Sequence, residues 1–115
     1  MKFVMNGCLI IGTMDGANVE IAEEIGEENM FIFGLDIEGV NKARMQMYHE
    51  NKRDYYGESL TKVYEMIQAG EFGGDQGAFN QLVGDLRDGR DHYLVSHDFE
   101  TYAQAQIRVD KAYKD

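Results

Sequence analysis

Two unbroken apolar runs, Cys8-Leu9-Ile10-Ile11 and Met30-Phe31-Ile32-Phe33, stand out against a chain that otherwise mixes apolar and polar positions. Both are too short for helices, rich in branched or aromatic residues and closed by glycine, so each predicts a strand buried on both faces. Between them Ala17, Ile21 and Ile25 recur at helical spacing while Glu20, Glu23 and Glu24 face outward. That pattern predicts a helix with Asp15 as its N-cap and Gly26 as its stop. Strand, helix and strand in about thirty residues make one βαβ unit, the repeating piece of a parallel sheet, crossing over right-handed. Ahead of it, Lys2 to Asn6 form one helical turn that Gly7 can close at positive φ.

After Gly34 the pattern turns helical. Asp36 caps a segment with Ile37, Val40, Arg44 and Met47, and Lys52-Arg53-Asp54 is a polar break. Tyr56, Leu60, Val63, Tyr64 and Ile67 make an apolar stripe that stops at Gly70. Residues 70–77 hold four glycines in eight positions, which favours a flexible loop over a defined cap. Phe79, Leu82, Val83 and Leu86 place a further helix before Gly89. His92 to Val95 fits a short extended piece or a helical turn. Ser96 or Asp98 caps a last helix with Phe99, Tyr102, Ala103, Gln106, Val109 and Tyr113 on one face.

The expected fold class is therefore α/β: one βαβ unit followed by several helices, in a single partial domain over residues 1–115. Residues 1–34 are its βαβ segment and residues 35–115 a helical remainder. Two strands are fewer than a stable parallel sheet normally has, so exposed edges and marginal stability are expected.

Composition narrows the function classes. Hydrophobic residues make up 43% and charged residues 28% of the 115 positions, the profile of a globular protein. The formal net charge is -10, so nucleic acid and anionic membrane are disfavoured as partners. The apolar runs are too short to span a bilayer and no signal peptide is visible, which makes the cytoplasm the expected location. Cys8 is the only cysteine; it reads as a small buried hydrophobe in a reducing compartment.

Most candidate chemistry fails on spacing or on a missing group. Gly7 and Gly12-Thr13 have the outline of a phosphate-binding loop without its lysine. Gly12 and Gly16 miss the dinucleotide spacing, so these glycines serve backbone turns. His49, His92 and His97 have no ligand partner at metal-site spacing, so no metal is expected. Asp15 and Glu20 could pair as acid and base, although capping and solvation suit them better. The tyrosines at 48, 55, 56, 64, 93, 102 and 113 suit the edge of a core, with hydroxyls reaching water. Lys2 on its own reads as a solvated charge near a chain end. Held against Phe3, Val4 and Met5, however, a lysine is pushed toward its neutral form and can take an aldehyde cofactor as a Schiff base.

The order of residues favours the second reading. Met1-Lys2-Phe3-Val4-Met5-Asn6-Gly7, Ile11-Gly12-Thr13 and Asp15-Gly16-Ala17-Asn18-Val19-Glu20 closely resemble the α-glucan (glycogen/starch) phosphorylases. The likeness continues through Glu23-Glu24, Gly26, Glu28-Asn29 and Phe31-Ile32-Phe33-Gly34, and more loosely through Tyr55-Tyr56 to Tyr113. Cys8 and Ile10 depart from the family's usual Ala and Thr.

The resemblance implies that Lys2 binds pyridoxal 5′-phosphate, with Asn6 and the backbone around Gly7 supporting the turn that bears it. It implies no catalytic residue in this chain, since the lysine is an anchor. It further implies a Rossmann-like C-terminal domain of the GT-B type and a parent homodimer. That parent would cleave α-1,4-glucan with inorganic phosphate to glucose 1-phosphate. The family's chain is several times longer, so a fragment inactive by itself is expected. The rival expectation is a non-catalytic acidic α/β module that binds a partner protein.

Overall fold

Two short strands pair in parallel near the front of the chain, and helices dominate from residue 37 onward. The computed structural model describes residues 1–50, 57–88 and 90–115, and for 48–50 the backbone only. In order come α1 (Lys2–Met5), β1 (Ile11–Gly12), α2 (Ala17–Ile25), a 3-10 turn (Glu27–Asn29), β2 (Phe31–Ile32), α3 (Ile37–Glu50), α4 (Glu58–Gln68), α5 (Gln76–Arg87) and α6 (Val95–Lys114). The arrangement is a mixed α/β one, with the strand, helix and parallel strand that the apolar pattern predicts. The chain divides into two compact units, Met1–Asn41 with Thr101–Asp115, and Lys42–Glu100.

In the first unit Ile11 faces Phe31 and Gly12 faces Ile32 across the parallel pair. Phe31 N–H donates to the Ile10 carbonyl at 2.9 Å and Phe33 N–H to that of Gly12 at 3.2 Å. Gly26 stops α2 at φ 86°, the left-handed backbone that glycine adopts without a β-carbon clash. Ala22, Met30 and Ala105 are buried.

The strands are shorter and barer than expected. Each has two residues; Ile11, Phe31 and Ile32 are only half-buried, and Cys8 and Leu9 are exposed. Burial on both faces needs a covering layer on each, and the described residues put none over Cys8 and Leu9. The expectation of a buried thiol is corrected accordingly. Each strand has one partner among the described residues, so the outer edges are open as anticipated.

Asp36 begins α3 as read from the sequence, its Oδ1 accepting from Gly39 N–H at 2.7 Å. Ile37 does not join the buried face; it is exposed, while Ala43 is buried. The polar break at Lys52-Arg53-Asp54, the stop at Gly89, Tyr55 and Tyr56 lie outside the described residues, as do the side chains of Tyr48 and His49.

The second unit has its own core of Leu60, Tyr64 and Val83, with Val63, Ile67, Leu86 and Phe99 packed against it. The predicted stripe on α4 is this core's main wall. Leu82, predicted beside Val83, is 54% exposed. The glycine-rich loop ends in a defined cap, contrary to expectation. Asp75 Oδ1 accepts from Gly77 N–H at 2.9 Å and from Ala78 N–H at 3.3 Å, and Gln76 Nε2 reaches back to the Gln68 carbonyl at 2.8 Å. A side-chain acceptor for orphan amides outweighs glycine's backbone freedom there.

The start of α6 also differs from the expected cap. Asp91 Oδ1 accepts from Val95 N–H at 2.9 Å and its Oδ2 from Ser96 N–H at 2.8 Å. Leu94, at φ 55° and nearly fully buried, folds the chain back so that an acid four residues upstream reaches the helix. Asp98 sits inside the first turn, and the Ser96 hydroxyl is taken up by the Tyr64 hydroxyl at 2.8 Å. Tyr64 is thus a buried member of the core, not an edge residue. Tyr93 and Tyr113 are exposed.

Candidate functional site

The front turn α1 is four residues long, too short to hold itself by backbone bonds alone. Its C-terminal end is closed by both backbone and side-chain donors. Gly7, at φ 77°, sends its N–H to the Val4 carbonyl at 3.0 Å, and Cys8 N–H reaches the Phe3 carbonyl at 3.0 Å. This is the paired bonding of a Schellman closure, for which a left-handed glycine is the natural residue. Asn6 adds a third contact, its Nδ2 donating to the Lys2 carbonyl at 2.7 Å.

Lys2 itself is exposed on this turn. Phe3 and Met5 are 77% and 82% exposed, so the described residues form no apolar wall around the amine. Among the described residues no carboxylate pairs with it. The amine is accessible, on a turn in which the Lys2, Phe3 and Val4 carbonyls each accept a hydrogen bond. Residues 7–9 continue from the turn and share an open groove with Val109, Ala112 and Tyr113 of α6.

Farther along the same unit, the carboxyl end of β2 is fastened to α6. Arg108 Nη2 donates to the Ile32 carbonyl at 2.8 Å, and Gly34 N–H donates to the Thr101 hydroxyl oxygen at 3.0 Å. Phe33 and Tyr102 meet edge to face at 5.2 Å, a favourable arrangement for two ring quadrupoles.

The turn from β1 into α2 is held by Asn18, whose Nδ2 donates to the Thr13 carbonyl at 2.9 Å. Asp15 does not cap α2: Gly16 stands at the N-cap and no side chain bonds the helix amides. Asp15 and Glu20 are both exposed. His92 packs against Tyr93, with ring centroids 4.9 Å apart. Burial holds the His97 imidazole below its ordinary pKa of 6.5, opposed by the nearby carboxylates of Asp91 and Asp98. Among the described residues no group of three or more His, Cys, Asp or Glu side chains converges as metal ligands would, and no helix is long and apolar enough to cross a membrane.

Sequence reasoning singled out Lys2, Asn6 and Gly7, which the structure brings together in one turn. It missed the tie from Asn18 and the cap from Asp91. Asn18 follows two residues after Gly16, where an amide can fold back on the turn it closes. Asp91 gave no such signal, because its reach depends on the left-handed Leu94.

A strand, a helix and a parallel strand, preceded by a closed turn, make this an α/β segment. The carbohydrate phosphorylase family model matches residues 1–115. The chain therefore belongs to the carbohydrate phosphorylase family. It is 47% identical over 120 residues to the α-glucan phosphorylase H isozyme of Solanum tuberosum. It is 46% identical over 118 residues to a glycogen phosphorylase of Synechocystis sp., and 45% identical over 118 residues to the cytosolic α-glucan phosphorylase 2 of Arabidopsis thaliana. In each case all of this chain is covered and 14% of the relative.

Proposed function

We propose that this chain is the cofactor-anchoring segment of an α-1,4-glucan phosphorylase, a glycosyltransferase that cleaves glycogen- or starch-type glucan with inorganic phosphate to give glucose 1-phosphate. The observation that carries this reading is Lys2, exposed on a braced turn at the front of a chain whose whole length matches the family. Lys2 would hold pyridoxal 5′-phosphate, and the cofactor's 5′-phosphate, when bound, would supply a proton to inorganic phosphate.

The chain's own part is to present the amine, keep its backbone fixed and lead into the β1–α2–β2 framework. Phosphate, cofactor-ring and glucan contacts need more polar groups than surround Lys2 here, so this segment alone turns over no substrate. In the same reading residues 1–115 are one partial Rossmann-like domain of a GT-B enzyme, which works in the cytoplasm as a homodimer. A net charge of -10 suits neither nucleic acid nor an anionic membrane as partner.

Borohydride treatment of the protein purified from its source tests the assignment. Peptide mapping should find one pyridoxyl group, on Lys2. A label spread over Lys42, Lys62 and Lys111, or a colourless protein free of the vitamin, would overturn it and leave the acidic interaction module as the reading.

A further inference from the structure

We draw no further inference here: the strongest candidate, the open groove at the carboxyl end of β2 lined by Ile32, Gly34, Thr101 and Arg108, sits in a chain that spans 14% of the relatives named above, and nothing in the structure shows what covers it.

Discussion

The side-chain amide of Asn18 lies over Gly12, where a β-carbon would come within 2.6 Å of its Nδ2. The same nitrogen donates to the Thr13 carbonyl at 2.9 Å. Strand end, turn and helix start are thus held by one contact that requires both a bare α-carbon and an amide. Gly12→Ala should displace Asn18 and cost about 1–2 kcal/mol in denaturant unfolding. Asn18→Ala should cost about 1 kcal/mol, and the double variant less than the sum, because the two changes break one contact. Strict additivity would show that the two residues are not coupled.

Leu94 combines a φ of 55° with a side chain only 2% exposed. A left-handed non-glycine residue costs roughly 1–2 kcal/mol, whereas emptying a buried leucine site costs about 2–5 kcal/mol. Packing is the larger effect, so glycine cannot replace leucine profitably. Leu94→Gly should be destabilising, yet no worse than Leu94→Ala, since alanine leaves the cavity and keeps the strain. Unfolding curves that place alanine well above glycine would contradict this account of the turn.

Asp91 offers both carboxylate oxygens to α6, one to Val95 N–H and one to Ser96 N–H. Asp91→Ala should strand both amides and cost about 1–2 kcal/mol, with Asp91→Asn retaining part of the cap through its remaining acceptor. Hydrogen exchange at Val95 and Ser96 should quicken in the alanine variant. Exchange confined to other parts of α6 would mean that the helix start is held by something else.

Local rules made much of this fold legible. Gly7, Gly26, Gly34 and Gly70 all stand at positive φ after the elements they were expected to close, because that conformation is a property of the residue itself. Asp36 caps α3 for a similar reason: donor and acceptor are three residues apart. What failed depended on residues far along the chain or on coverage. Cys8 and Leu9 have the composition of a buried strand and are exposed, since an apolar run states what a residue prefers and not what lies over it. Tyr64 looked like an edge ring, and its partner Ser96 is 32 positions away. At the candidate site the lysine and its asparagine were readable from order alone, whereas the Asn6 backbone amide's choice of the Phe3 carbonyl over that of Lys2 was visible only in the folded turn.

His97, in the first turn of α6, supplies a pH signature with a definite sign. Burial lowers its pKa from 6.5, against the raising pull of Asp91 and Asp98. A base with a depressed folded-state pKa binds its proton more readily in the unfolded chain, so stability rises with pH between the two values. The contribution is fully present above the unfolded value near 6.5 and is lost as pH falls through the folded one. The stability of the parent relative to His97→Gln should therefore shrink as the pH falls below the unfolded value near 6.5. Asp98→Asn removes part of the opposing attraction, so it should lower the folded pKa further and widen the window of loss. A parent that gains stability over H97Q on acidification would mean that the two carboxylates, and not burial, control this imidazole.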